Sequence, residues 1–234
     1  MTNYKFGTNQ ALENLWLRFS THPKGSWIMK IEMVTKLVEL IEKYKPVQIL
    51  ELGTGIGTAT ACIASILDNA RITTVEQDIK VMETAKELIP HDFKNKITFE
   101  HRPATVMKPI NDIDPFRFWS VFIELPWAKW DLIIIDGPGP FMLKDTLVDL
   151  PNGDIIWMLP KIAPGTKILI QGRREARNLY KRYLAWYLDV VEEDGYVDDY
   201  CLFERTNLSL NDDLSDFRNS DMIRGKLMES RYFE

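Results

Sequence analysis

The 234-residue chain has an ordinary globular composition, with 45% hydrophobic and 27% charged residues, which excludes a disordered or fibrous protein. This length favours a single α/β domain with a large core. The 34 acidic and 29 basic residues leave a net charge of -5, which disfavours nucleic acid as a partner.

Neither the apolar runs nor the cysteines point to a membrane or to an oxidising compartment. The uncharged stretch from Leu52 to Leu67 contains three glycines and is too short to span a bilayer. Residues 1–25 lack the apolar core of a signal peptide, which predicts a cytoplasmic location without a membrane partner. Cys62 and Cys201 stand alone, without the spacing of a disulfide framework or of a cysteine metal site.

Hydrophobic periodicity predicts alternating helices and strands in the first half of the chain. Apolar residues at three- and four-residue spacing predict an amphipathic helix that runs from Ile28 to Ile41 and ends before Pro46. This helix would belong to an N-terminal helical cap, residues 1–45. The next segments are predicted as strand Val47–Glu51, helix Thr58–Leu67, strand Arg71–Glu76, helix Ile79–Ile89 and strand Lys96–Glu100.

The second half of the chain continues this alternation and then has two strand-like runs in succession, followed by a polar tail. Its segments are predicted as strands Asp131–Ile135 and Thr166–Ile170, helix Arg174–Leu188, and strand-like runs Asp189–Glu192 and Val197–Glu204. Strands separated by crossover-length segments indicate a doubly wound α/β fold with helices on both faces of a mainly parallel sheet. Asp194-Gly195 between the last two runs predicts an antiparallel C-terminal hairpin. Residues 207–234 form a polar tail outside the predicted domain, residues 1–206.

The strongest motif is Glu51-Leu52-Gly53-Thr54-Gly55-Ile56-Gly57, which joins the first predicted strand to a helix. Glycines at such a turn let a ligand lie directly against the backbone. A dinucleotide-binding fingerprint would need glycine at position 58, where this chain has Thr58. The turn also lacks the Gly-Lys-Ser/Thr of a phosphate-binding loop. The alternative is a turn that only packs a strand against a helix.

An acidic residue followed by Gly-x-Gly-x-Gly resembles the first motif of the class I S-adenosylmethionine-dependent methyltransferases. The resemblance covers residues 47–204 and implies a seven-stranded core sheet, an enzyme and S-adenosylmethionine as the cofactor. It implies that Glu51 fixes the methionine end of that cofactor, since a carboxylate can accept hydrogen bonds from its ammonium group. It also assigns cofactor contacts to Gly53, Thr54, Gly55 and Gly57.

The second and third predicted strands add further cofactor candidates. Glu76 ends the second strand, where an acid accepts hydrogen bonds from ribose hydroxyls in open α/β sheets, and Gln77 follows it. Without a glycine loop nearby, Glu76 would simply be a surface glutamate. After the third strand, the resemblance implies adenine contacts at Ala104 and makes His101 a candidate base. A plain connecting turn is the alternative for this segment.

The fourth predicted strand ends in Asp136, followed by Gly137-Pro138-Gly139-Pro140. Ligands of this fold bind at that edge, so Asp136 is a candidate cofactor ligand and general base; its alternative role is to cap the turn. These neighbours differ from the Pro-Pro-aromatic motif of base-modifying relatives and from the glutamate pair of protein arginine methyltransferases. The fifth strand ends in Gln171-Gly172-Arg173, without the oxygen ligands that a magnesium-dependent relative would carry, so no metal is expected.

Two further features concern the acceptor of the methyl group. Arg173 and Arg174 could bind a carboxylate or phosphate of the acceptor, or could form a solvated helix start. The segment Asp114–Trp130 is rich in aromatic residues and fits a lid, a homodimer surface, or a helix whose rings are buried.

The sequence therefore predicts a metal-independent methyltransferase that acts on a hydroxyl of a small or sugar-like molecule, with Asp136 or His101 accepting the proton. Methyl transfer is an in-line displacement, so positioning in a desolvated pocket supplies most of the catalysis. The alternatives are methylation of RNA or another macromolecule, aminopropyl transfer, and a scaffold subunit that binds the cofactor without turnover.

Overall fold

The computed structural model describes residues 6–25, 28–108, 118–143, 145–195, 199–208 and 226–227. Its helices are α1 (Phe6–Ser20), α2 (Ile31–Tyr44), α3 (Thr58–Ile66), α4 (Ile79–Leu88), α5 (Asp154–Met158) and α6 (Arg174–Tyr183), with short 3-10 helices at His91–Lys96 and Leu159–Lys161. Its strands are β1 (Gln48–Leu52), β2 (Arg71–Glu76), β3 (Ile97–His101), β4 (Ala104–Lys108), β5 (Trp119–Phe122), β6 (Leu132–Ile135), β7 (Phe141–Leu143), β8 (Thr146–Val148), β9 (Lys167–Gln171), β10 (Leu188–Asp194), β11 (Tyr200–Arg205) and β12 (Lys226–Leu227). Residues 114–117 of the predicted aromatic segment and most of the predicted tail lie outside the described residues.

Seven strands form one sheet in the order β10-β11-β9-β6-β1-β2-β3. Strands β1, β2 and β3 are parallel to one another, and β6 is parallel to β9. Strand β11 runs antiparallel to both β9 and β10. The predicted α/β fold, with a mainly parallel seven-stranded sheet and an antiparallel C-terminal hairpin, is confirmed. Residue contacts divide the chain into two compact units, residues 1–101 and 102–234.

The predicted amphipathic helix of the first unit is α2, which begins at Ile31 rather than at Ile28. The spacing of its apolar residues puts them on one face, and that face is buried at Met33, Val34, Leu37, Leu40 and Ile41. The helix ends at Lys45, which adopts the left-handed conformation and donates its backbone N–H to the carbonyl of Ile41 (2.8 Å). Pro46 follows immediately and cannot continue the helix.

A buried cluster joins α1, α3 and α4 around the glycine turn. Phe19 of α1 is fully buried together with Ile56 of the turn, Ala61 of α3, and the α4 end at Ala85 and Ile89. This packing fixes the start of α3 against the end of α4. The glycine turn is therefore part of the core of the first unit.

In the second unit, β4 and β5 pair antiparallel, with Lys226–Leu227 added beside β4. The predicted buried helix in the aromatic segment is wrong for residues 119–122, because these form β5 and all four are buried. A run that is buried on both faces lacks the alternation that marks a half-exposed strand. Trp119 and Phe122 are therefore unavailable as lid or dimer-surface side chains, whereas Trp127 is half exposed.

Both cysteines are buried, and burial raises the pKa of each thiol to about 12. Cys62 lies in α3 and Cys201 in β11. Within the described part of the chain, no helix combines the length and the apolar character needed to cross a membrane.

Candidate functional site

The turn between β1 and α3 is held by backbone hydrogen bonds. The N–H groups of Gly53 and Thr54 both donate to the carbonyl of Val75, at 2.9 and 3.1 Å, which ties the turn to the end of β2. Gly57 has a φ of 92°, and a Cβ there would lie 2.8 Å from the side chain of Ile89. Glycine is favoured at this position, because a side chain would impose a strained backbone conformation and would require Ile89 to move.

Gly55 lies at the exposed top of the turn, and its surroundings are open. A Cβ built on it would meet no atom within 4 Å, and its φ is 53°. Its N–H donates to Glu76 Oε2 at 2.9 Å, which connects the turn with the carboxyl end of β2. A ligand can therefore lie directly on the backbone beside an acidic side chain.

Glu51 is a buried carboxylate beneath the turn, with 1% of its surface exposed. Its Oε2 accepts hydrogen bonds from the hydroxyls of Thr60 (2.5 Å) and Thr74 (2.6 Å). The Thr74 hydroxyl also lies 2.6 Å from the Thr54 hydroxyl. These bonds fix the carboxylate and offset the cost of removing its charge from water.

Glu76 is buried as well, and three backbone N–H groups converge on its carboxylate. Oε1 accepts from Gln77 (2.8 Å) and Asp78 (3.0 Å), and Oε2 accepts from Gly55. Burial raises the pKa of Glu76 above its ordinary value, while these three hydrogen bonds act in the opposite direction. The side chain is thus held in one orientation at the edge of the sheet.

His101 ends β3 directly beside Glu76, its partner in the parallel register. The exposed imidazole Nε2 lies 3.1 Å from the backbone carbonyl of Gln77. Among the described residues of this unit, the buried oxygens Gln77 Oε1 and Thr58 Oγ1 have no hydrogen-bond partner. Buried polar atoms normally have partners, so these two fit a place where a ligand supplies them.

In the second unit, Asp136 follows β6 and is contacted by Arg173 at the start of α6. Arg173 Nε lies 3.9 Å from Asp136 Oδ1, and the guanidinium also donates to the Asp136 carbonyl. Arg173 Nη1 also donates to Asp149 Oδ1 at 3.1 Å. The two predicted site residues Asp136 and Arg173 are thus brought together as an ion pair.

The remaining predicted residues have separate positions in the second unit. Arg174 is exposed in the first turn of α6. Ala104 is the first residue of β4, and residues 102–103 connect it to β3. Among the residues that the structure describes, no three histidine, cysteine or carboxylate side chains are grouped as metal ligands.

A buried hydrogen-bonded group centred on Asp154 was missed by sequence reasoning. Asp154 Oδ1 accepts from the N–H of Phe122 (2.9 Å), and Oδ2 accepts from Asn152 Nδ2 (2.6 Å). The Tyr180 hydroxyl donates to Asn152 Oδ1 at 2.7 Å. Burial raises the pKa of Asp154 to about 7. The available signal was Asn152-Gly153-Asp154 before the apolar Ile155–Met158, a helix-start pattern.

The acidic residue, glycine turn and second acid at the ends of adjacent parallel strands, within this seven-stranded sheet, are the features of the class I S-adenosylmethionine-dependent methyltransferase fold. A family model described as protein-L-isoaspartate(D-aspartate) O-methyltransferase matches residues 8–103. That range contains the whole glycine turn and both acids. The resemblance predicted from the sequence is confirmed.

Solved structures share this fold at low sequence identity. A Podospora anserina methyltransferase bound to SAH is 16% identical, with a TM-score of 0.57 over 84% of this chain and 88% of that one. The O-methyltransferase TomG of Streptomyces achromogenes, in complex with SAM, is 15% identical, with a TM-score of 0.53 over 85% and 90%. An O-methyltransferase of Bacillus cereus in complex with SAH is 15% identical, with a TM-score of 0.51 over 88% and 94%. No curated protein sequence matches the chain.

Proposed function

We propose that this protein is an S-adenosylmethionine-dependent methyltransferase. The observation that carries the proposal is the hydrogen bond from the N–H of Gly55, an exposed residue, to the buried Glu76 carboxylate, because it joins an open backbone surface to an oriented acid. When bound, S-adenosylmethionine supplies a methyl group made electrophilic by its sulfonium. The protein's task is then to bind, orient and desolvate the reactants.

The residues of the first unit fit such a cofactor. Glu76 would accept hydrogen bonds from the ribose hydroxyls, and Gln77 would add its partnerless Oε1. Glu51 would offset the positive charge of the methionine part from beneath the turn. Gly53, Thr54, Gly55 and Gly57 would present the backbone surface. Ala104, to which the resemblance assigns an adenine contact, belongs to the second unit.

We further propose that the acceptor is a hydroxyl of a small molecule, methylated without a metal ion. Known O-methyltransferases share the fold, and β9 ends in Gln171 and is followed by Gly172, neither of which is a carboxylate. Asp136, oriented by Arg173, or the exposed His101 would take the proton of that hydroxyl. Arg173 and Arg174 would bind the carboxylate or phosphate of an anionic acceptor. Cytoplasmic location and homodimerisation remain predictions.

The cofactor assignment is tested by calorimetric titration of S-adenosylmethionine into the wild-type protein and Glu76→Ala. Hydrogen bonds to a charged group contribute about 1.5–3 kcal/mol, so we expect the variant to bind roughly 10- to 100-fold more weakly. Glu83→Ala, which changes an exposed glutamate of α4, is the matched control and should bind like the wild type. Equal affinities for all three proteins would contradict the assignment.

Catalysis is tested separately from binding, because a scaffold subunit would bind the cofactor without consuming it. We expect S-adenosylhomocysteine to accumulate when the wild-type protein is incubated with S-adenosylmethionine and a metabolite extract. Tight binding with no product in broad extracts would instead favour the scaffold alternative.

A further inference from the structure

The second unit contains a cleft that the proposed methyl transfer does not explain. Its volume is about 350 Å³, within the range of small-molecule sites. The lining is made by β4, β5, the loop after β5 and α5: Met107, Val121, Phe122, Ile123, Glu124, Leu125, Trp127, Asp154, Trp157 and Met158. Eight of these ten side chains are apolar, so the cleft favours a hydrophobic occupant.

Several lining side chains are exposed although they are large and apolar. Trp127 is 49% exposed, Trp157 45% and Ile123 38%. Aromatic residues lose little conformational entropy when they bind a ligand and offer large flat faces. Two half-exposed indoles on one small cleft therefore suit a flat, ring-containing molecule.

The charged residues that line the cleft indicate which charge such a molecule would carry. Both ionisable lining residues are acids, Glu124 and Asp154. Each Asp154 oxygen accepts one hydrogen bond from the protein, and a carboxylate oxygen can accept two. Glu124 is 82% exposed, and Arg102 Nη1 lies 3.9 Å from its Oε2, at the outer limit of an ion pair.

The indole of Trp127 already binds a cation in this structure. Lys161 Nζ lies 3.4 Å from its ring centre, a cation–π contact. Backbone geometry also marks this loop, because Glu124 has a φ of 55°, which is unusual for a residue with a side chain. Lys161 occupies one face of this indole, so the groups on the cleft that favour a positively charged ligand are the acids Glu124 and Asp154.

We propose that this cleft is a binding site for a flat, hydrophobic amine, whose ring packs against Trp127 and Trp157 and whose ammonium group interacts with Glu124 and Asp154. The site consists of second-unit residues only and does not depend on the proposed cofactor binding. A carboxylate-bearing analogue is disfavoured by the same two acids.

Three probes of one size test the charge preference: 2-phenylethylamine, 2-phenylethanol and phenylacetate, titrated by calorimetry at about pH 8, where the alkylammonium stays charged. We expect the amine to bind best, the alcohol more weakly and the acid at least about tenfold more weakly than the amine. Phenylacetate binding as tightly as the amine, or no binding of any probe, would overturn the proposal.

Substitutions of lining residues test whether the probes bind in this cleft. Trp157→Ala should weaken the binding of the amine and of the alcohol alike, by about tenfold, because it removes an apolar contact that both probes share. Glu124→Gln should weaken the binding of the amine only. The loss should be roughly two- to fivefold, since this acid is largely exposed. Trp186→Ala is the matched control, because Trp186 is 80% exposed and does not line the cleft.

A second copy of the chain is the competing occupant of an apolar cleft, and sedimentation velocity distinguishes it. A dimer that dissociates in Trp157→Ala, with no probe bound by either protein, would overturn the amine site. Amine binding that is lost in Trp157→Ala and kept in Trp186→Ala, with unchanged thermal unfolding in both, would support it. Because the probes need no S-adenosylmethionine, failure of the cofactor assignment leaves this test intact.

Discussion

Asp154 is an acidic side chain that is almost completely removed from water, with 1% of its surface exposed. It lies at the start of α5, where its carboxyl group accepts from the neutral donors Phe122 N–H and Asn152 Nδ2, and Asn152 in turn accepts from the Tyr180 hydroxyl. Two hydrogen bonds favour the ionised form, but desolvation dominates and raises the pKa to about 7. The carboxyl group therefore titrates near neutral pH when the protein is folded and near its ordinary value of 3.8 when unfolded.

This shift predicts a pH-dependent stability. Between those two pKa values the folded protein binds more protons, so the free energy of unfolding should fall as pH rises from about 4 to about 7 and level off above. The slope from one such group approaches about 1.4 kcal/mol per pH unit. Urea unfolding of the wild-type protein and Asp154→Asn across this range measures it, and the variant should lose this component.

The control for this measurement is Asp68→Asn, because the Asp68 side chain is 97% exposed. It should keep the pH dependence of the wild type. An unchanged slope in Asp154→Asn would mean that this carboxyl group is ionised throughout the range.

At the scale of elements, the sequence predicted β2 at its observed bounds and β1, α3, α4, β6 and β9 to within a residue or two. These elements obey local rules: β-branched runs, a helix start at Asp78, and a stop at Pro90. The predicted helix Arg174–Leu188 is wrong beyond Tyr183, because Leu188 begins β10, whose Val190 and Val191 favour extended backbone.

The candidate site was predictable where its residues follow a local motif and hidden where they do not. Glu51, the glycines and Glu76 can be recognised from a turn and the next strand end. The Asp154 group joins Phe122 to a residue 32 positions later, through a hydrogen bond to backbone. No spacing in the sequence marks such a contact, since it depends on how β5 packs beside α5.

The glycine turn predicts a measurable packing cost for Gly57→Ala. A methyl group there would lie 2.8 Å from Ile89 with φ at 92°, so both strain and overpacking should destabilise the fold. Gly165→Ala isolates the backbone contribution, because Gly165 has a φ of 84° and open space around it. We expect Gly57→Ala to lose about 1–3 kcal/mol more than Gly165→Ala in chemical unfolding. Equal losses would contradict this packing.

At the scale of the whole molecule, net charge bears on the RNA alternative. The chain carries -5 and has a pI near 5.4, so its overall field repels a polyanion. We expect no gel shift of a structured RNA at about physiological salt, and no more than weak binding at low salt. A shift that persists at physiological salt would favour a macromolecular acceptor and contradict the small-molecule proposal.

Because its two thiols are buried, we expect the folded chain not to react with maleimides or iodoacetamide. Nucleophilic attack needs an accessible thiolate, and Cys62 and Cys201 offer neither the exposure nor the ionisation. A single cysteine introduced on the surface would therefore accept a fluorophore or spin label alone, with the native residues left in place. The rate at which the unaltered chain is slowly alkylated would in turn measure how often α3 and β11 open.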